Sequence, residues 1–275
     1  SVSNKKVNKF KGENESSGSG NDRGYSTEEI QILLNSSPLR MKMVFLILCS
    51  TGIRIGALPI LRIKHLNKIE DKGFYQFTIY ANSPEHRYVT YCTPECAAVI
   101  DSYLQYRERF GEKITPESDS YLLRQDFDIT DLEQIRKNGN VPVTVESLRS
   151  TVRTYLIKTG LRVPYLEAMQ NGKRHEVAQS HGFRKFFETR LIESDLNPMA
   201  VLRLVGHKGG LDNKSYFRPK EDFIISEYEK AIDALTIDPA NRLRKKVVVL
   251  QERNDRLDRV LDRLDKLENE LGITK

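Results

Sequence analysis

The sequence predicts an α+β fold, mostly helical, with one small antiparallel sheet. Three observations carry this prediction. Apolar residues recur at helical spacing through most of the chain, aromatic and β-branched runs interrupt them only between Ile69 and Tyr91, and recognisable helix-starting and helix-stopping residues mark the boundaries. With 39% hydrophobic and 30% charged residues, the composition suits a globular chain, and 275 residues correspond to about one or two domains.

Residues 1–24 are rich in Lys, Asn, Ser, Gly and Glu, too polar to bury enough surface to order themselves, and are expected to be a disordered linker. Ser26 or Thr27 followed by Glu28 and Glu29 marks a helix start, after which Ile30, Leu33 and Leu34 keep helical spacing. The next helix, about Leu39 to Ser50, is nearly all apolar and must be enclosed on most sides; Gly52 ends it as a C-cap. Runs at Phe74–Tyr80 and Tyr88–Tyr91, separated by Asn82-Ser83-Pro84, predict the antiparallel sheet. Thr93-Pro94-Glu95 then opens a helix running to about Phe110. Helical patterns return over about 144–159, 182–193, 198–205 and 221–235, so residues 25–238 form the main domain.

Residues 239–275 are expected to form a separate C-terminal helix. Leucines 243, 250, 257, 264 and 271 occupy every d position of a leucine-zipper register. Asn254 falls at an a position, where a buried amide pair favours a parallel dimer, and Glu268 weakens the last heptad. The same stripe also suits an amphipathic helix lying on its own domain.

Charge and composition limit the function classes. The 44 Lys and Arg against 38 Asp and Glu leave a formal +6, a modest excess that permits a polyanionic partner such as nucleic acid. The longest apolar run, Met43–Cys49, is far short of the roughly 20 residues that span a bilayer. No secretory signal precedes it, so no membrane association and a cytoplasmic location are expected. Cys49, Cys92 and Cys96 fit neither a disulfide framework nor a zinc site and are expected to be reduced packing residues. Ser in place of Met at position 1 fits a processed or excised fragment.

Four stretches carry groups suited to phosphate chemistry. Arg54, in Thr51-Gly52-Ile53-Arg54-Ile55, follows the apolar helix among apolar neighbours, where a held cation needs an anionic partner. Taken alone, it reads more simply as an arginine that bonds helix-terminal carbonyls. His181 and Arg184, in Ser180-His181-Gly182-Phe183-Arg184, lie one turn apart at a helix start, where phosphate is favoured, while Phe183, Phe186 and Phe187 pack inward. His207 follows Gly206 at the end of the helix that Asn197-Pro198 begins, and Tyr216 comes nine residues later in Asp212-Asn213-Lys214-Ser215-Tyr216-Phe217-Arg218-Pro219. Asp126, Asp128 and Asp131 lie in a polar loop without ligand spacing, so no metal is expected.

Each motif alone is weak. In this order and spacing, Arg, His-x-x-Arg, Gly-His and Tyr resemble the catalytic signature of the tyrosine recombinases, the phage-integrase family, over roughly residues 25 to 235. The wording around His181 and Tyr216 and the charged helix behind them look most like archaeal integrases. The resemblance implies a catalytic domain with a three-stranded sheet that cleaves and rejoins double-stranded DNA, as part of a mobile element. Tyr216 would be the nucleophile, giving a 3′-phosphotyrosyl bond and a free 5′-hydroxyl. Arg54 and Arg184 would grip the non-bridging oxygens, His207 would donate to the same phosphate, and His181 would assist proton transfer. A phenol of pKa about 10 needs such help near neutrality, and each fixed donor to the transition state is worth about 10²–10³ in rate. Because the linkage preserves bond energy, no cofactor is implied. The implied partners are DNA and further copies of the chain, as a dimer or tetramer.

The chain departs from the family pattern in three respects. The turn Ala81-Asn82-Ser83-Pro84-Glu85-His86-Arg87 lacks the family's lysine, thought to protonate the departing 5′-oxygen; His86 and Lys72 are the nearby candidates. Ala57 stands where the family often has an acid that orients the first arginine. Only residues 1–24 precede the fold, where the family carries a helical core-binding domain, so weak, salt-sensitive DNA binding is expected. The alternative to a recombinase is a cleavage-deficient DNA-binding and assembly module that uses the coiled coil.

Overall fold

A computed structural model describes residues 23–126, 130, 141–164, 177–207 and 220–271. Helix α1 (Thr27–Asn35) starts with a reciprocal cap: Ser26 Oγ accepts from the Glu29 amide at 3.2 Å, and the Glu29 carboxylate accepts from the Ser26 amide at 2.7 Å. Helix α2 (Leu39–Thr51) buries ten residues, including Phe45, Leu46, Ile47 and Leu48, and ends at Gly52 with φ +62°. A helix buried on nearly all sides cannot show a one-faced stripe, and it serves here as the axis that other elements cover.

Two 3₁₀ turns (Ile55–Ile60 and Ile63–His65) lead into the antiparallel sheet β1 (Leu66–Ile69), β2 (Phe74–Ile79) and β3 (Tyr88–Tyr91), in that order. Leu66 pairs with Phe77 and Phe77 with Thr90, so one row of buried side chains faces the core. Thr90 Oγ1 donates to the Thr51 carbonyl at 3.1 Å and ties the sheet to the end of α2. The first strand begins before the aromatic texture of the sequence does. Its middle residues, Asn67 and Lys68, are exposed, so it carries too little apolar alternation to be read.

Helix α3 (Pro94–Arg109), capped by Thr93, packs along α2. Behind it, buried Arg107 and Arg124 share the Glu112 carboxylate, with Arg124 at 2.8 Å, and Arg107 also bonds the Tyr121 and Leu122 carbonyls. Burial opposes ionisation of Glu112, but the two guanidinium groups outweigh it and hold the carboxyl below the usual range. The remaining helices are α4 (Val145–Lys158), α5 (His181–Glu193), α6 (Pro198–Leu204), α7 (Glu221–Leu235) and α8 (Pro239–Leu271). These bounds agree with the sequence expectations to within a few residues.

Aromatic rings join the layers. Phe183 of α5 stacks on Phe45 of α2 at 5.7 Å and meets Tyr25 at 4.5 Å. Tyr228 of α7 lies against Phe74 and Tyr91 of the sheet, and its hydroxyl donates to the Ser50 carbonyl at 2.8 Å. The three cysteines are free and buried, as packing residues are.

Helix α8 leaves this body from a fixed root, where Glu95 accepts from the Ile237 and Asp238 amides at 2.8 and 2.9 Å. Beyond the root its stripe is in solvent: Leu243, Leu250 and Leu257 are 61%, 58% and 53% exposed, and Val247 and Leu261 are exposed too. These described stripe residues therefore do not pack on their own domain. Among the described residues, no helix is long and apolar enough to cross a membrane.

Two glycines with positive φ separate backbone strain from packing. A Cβ at Gly52 would collide with the Phe187 ring, whereas one at Gly73 (φ +68°) meets nothing within 4 Å. Gly73→Ala is expected to cost about 1 kcal/mol, and Gly52→Ala clearly more, in denaturant titrations at unchanged m value.

Candidate active site

The site is built around a buried cation. Phe183, Phe186, Phe187 and Leu191 turn the inner face of α5 to the core, and Arg184, on the same face, is carried inside with them at 3% exposure. Such a guanidinium must be bonded. Its Nη1 donates to the Gly52 carbonyl at 2.9 Å, its Nη2 to the Val205 carbonyl at 2.7 Å, and its Nε pairs with Glu188 at 2.9 Å. Gly52 and Val205 are the C-cap residues of α2 and α6, so two helix C-termini, each carrying partial negative charge, converge on one cation.

His207 completes the arrangement. Gly206, at φ +66°, turns the chain after α6, and the His207 amide bonds the Leu202 carbonyl at 2.9 Å, leaving the imidazole exposed beside Arg184. Arg184 Nη2 lies 2.9 Å from His207 Nε2. A guanidinium can only donate, so Nε2 is the acceptor and the ring hydrogen is assigned to Nδ1. Hydrogen bonds to described partners thus take three guanidinium N–H groups, one on Nη1 and two on Nη2, while the Nε edge faces the Glu188 carboxylate as an ion pair.

Arg54 precedes the 3₁₀ turn Ile55–Ile60, with Ile53 and Ile55 buried on either side. The sequence suggested a cation held among apolar groups with an anionic partner; the structure instead turns Arg54 to solvent. The role of bonding helix-terminal carbonyls, which the sequence allowed for Arg54, falls to Arg184. Both charges reach Tyr88: burial raises its phenol to about 12, while Arg184 and Arg54 pull the other way. Tyr88 therefore marks a common neighbourhood of Arg54, Arg184 and His207, its ring lying where a Cβ on Gly206 would come within 2.6 Å.

His181 is the first residue of α5, exposed and one turn before Arg184. Tyr216 lies outside the described residues, as do Asp128 and Asp131. Asp126 is paired with Arg40 at 2.7 Å. Among the described residues, no group of three His, Cys, Asp or Glu is placed to hold a metal ion. Lys72 pairs with Glu229 of α7 at 2.8 Å, which raises its pKa, and His86 is exposed with Nδ1 3.0 Å from Ser83 Oγ. No described hydrogen bond or ion pair joins either of them to Arg184 or His207.

Sequence reasoning missed Tyr88 and Glu188. Glu188 follows Arg184 by four residues on one helix, a readable spacing. Tyr88 looked like any other strand aromatic.

Helices around a buried central helix and a three-stranded antiparallel sheet make up the described body. The chain belongs to the phage integrase family, whose model matches residues 26–221. Solved structures agree in fold. XerA recombinase is 19% identical with a TM-score of 0.50, over 75% of this chain and 64% of its own. The integrase from mycobacterium phage Brujita is 15% identical with a TM-score of 0.50, over 76% of this chain and 57% of its own. The chain thus spans less than two thirds of either protein. A search of curated proteins found no match.

Arg184→Gln strips the partners from two buried carbonyls and leaves Glu188 without its cation. It is expected to lower unfolding free energy by about 3 kcal/mol or more, while Arg54→Gln, at an exposed position, should stay within about 0.5 kcal/mol in the same denaturant titration.

Proposed function

We propose that the chain is the catalytic domain of a site-specific recombinase that cleaves and rejoins double-stranded DNA. The observation that carries this reading is the 2.9 Å contact between Arg184 and His207, with Arg54 acting on the same neighbourhood. Arg184 and His207 in contact, with exposed Arg54 close enough to act on Tyr88, offer donors for the non-bridging oxygens of a phosphodiester and for the five-coordinate, dianionic transition state it passes through. Arg184 is held in place by its buried partners before substrate arrives.

Tyr216 is the nucleophile in this reading. Its oxygen attacks a backbone phosphorus, the bond to the 5′-oxygen breaks, and a 3′-phosphotyrosyl linkage holds the strand until a 5′-hydroxyl attacks in reverse. Arg54 and the second Nη1 hydrogen of Arg184 bind non-bridging oxygens, while His207 donates to one of them through Nδ1–H, the hydrogen that its contact with Arg184 assigns to that nitrogen. His181 takes the phenol proton. The reaction conserves a phosphodiester, so it needs no nucleotide cofactor.

Incubation of the chain with a nicked half-site duplex in chelator is expected to give a covalent protein–DNA adduct on a denaturing gel, and Tyr216→Phe none. Mobility shifts without any adduct would favour the other reading, a binding and assembly module, which the lysine-free β2–β3 turn supports.

The solvent-exposed stripe of α8 supports pairing of copies. In a parallel two-stranded register Val247, Asn254 and Leu261 meet their equivalents at a positions, and Arg253 at g faces Asp258 at e of the other copy. The double substitution Leu250→Ala with Leu257→Ala should lower the sedimenting mass to that of one chain. An unchanged mass would exclude this zipper.

A further inference from the structure

The β2–β3 turn offers no lysine, and the strand that follows begins with Tyr88. Tyr80, at φ +51°, follows β2, and the Ser83 carbonyl accepts from the His86 and Arg87 amides, so the turn closes tightly and β3 begins at Tyr88. The Tyr88 ring is wedged against Gly206, the residue before His207. Its hydroxyl is shut off from solvent and donates to no described group, although Arg184 stands close enough to lend its oxygen a hydrogen bond. Buried hydroxyls almost always have a partner, and an O–H left without an acceptor calls for an explanation. This one sits in the field of Arg184 and Arg54, two groups that can only donate. What the spot lacks is an acceptor, and the acceptor that two cations would admit is an anion.

We propose that Tyr88 is the acid that protonates the departing 5′-oxygen during strand cleavage, the task for which the turn provides no lysine. The assignment rests on the strand-cleavage reading above. As Tyr216 Oη bonds to phosphorus and the bond from phosphorus to the 5′-oxygen breaks, the Tyr88 Oη proton passes to that oxygen. The resulting tyrosinate is held by Arg184 and Arg54. On rejoining, the attacking 5′-hydroxyl returns its proton to Tyr88, so no further reactant is consumed. Burial keeps the phenol protonated at neutral pH, with its pKa at about 12. An alkoxide, comparable in basicity to the conjugate base of water at about 15.7, still takes the proton from it. Lys72 is engaged by Glu229, and His86 lies out in the exposed turn, bonded to Ser83.

The test compares single-turnover cleavage of two half-site duplexes, one ordinary and one with sulfur replacing the bridging 5′-oxygen at the scissile phosphate. A thiolate leaves without a proton, so the sulfur duplex bypasses the acid. Tyr88→Phe keeps the ring against Gly206 and removes only the hydroxyl. It is expected to slow cleavage of the ordinary duplex about 10²–10⁴-fold and to cleave the sulfur duplex at the wild-type rate. His86→Ala and Lys72→Ala should cleave the ordinary duplex as the wild type does. The assignment is overturned if Tyr88→Phe cleaves the ordinary duplex normally, if it is equally slow on both duplexes, or if His86→Ala or Lys72→Ala shows the sulfur rescue instead. A wild-type chain that binds both duplexes and forms an adduct with neither overturns the strand-cleavage reading itself.

Discussion

Everything in the candidate site depends on how one buried guanidinium is satisfied. Arg184 carries a full positive charge into the core, a placement that costs several kcal/mol unless each donor finds an acceptor. The fold supplies them from three directions: the C-cap carbonyl of α2, the C-cap carbonyl of α6, and Glu188 one turn along its own helix. The two helix dipoles add favourable interaction of about 0.3–1 kcal/mol each. Because these bonds are directional, Arg184 also fixes where α2 and α6 end relative to α5. The same interaction that stabilises the core therefore sets the positions of Arg54, just beyond α2, and His207, just beyond α6.

The sheet contributes through its last strand. Thr90 ties β3 to the end of α2, and Tyr88, two residues earlier on the same face, meets Gly206 beyond the end of α6. A glycine at 206 is needed twice over, since φ is +66° and the Tyr88 ring occupies the space of a side chain. Basic groups and a phenol thus gather where two helix ends and a strand meet, on elements too well packed to shift independently. This preorganisation is what chemistry on a phosphodiester requires.

Much of the fold was legible in the chain because its boundaries are written locally. Ser26 with Glu29, Thr93 with Pro94, and Asn197 with Pro198 start helices, and Gly52 stops one. Strand β1 was not legible in full, since Asn67 and Lys68 face solvent and leave only its ends apolar. The candidate residues could be ordered along the sequence, but their environments could not. Arg54 reads as enclosed and is exposed, whereas Arg184 reads as a surface partner of His181 and is buried, because helical periodicity does not say how deep a face lies. The contact of Arg184 with His207 spans 23 residues, and Tyr88 lies farther still from Gly206 in sequence. Such meetings arise from tertiary packing and leave no local trace.

The most direct measurement of the central claim is a crystal structure of the chain on a half-site duplex with the attacking oxygen removed to trap the uncleaved state. The account predicts one backbone phosphate seated with non-bridging oxygens at hydrogen-bond distance, about 2.7–3.2 Å, from Arg54, Arg184 and His207. DNA bound across another face, with Arg184 and His207 away from any phosphate, would contradict it.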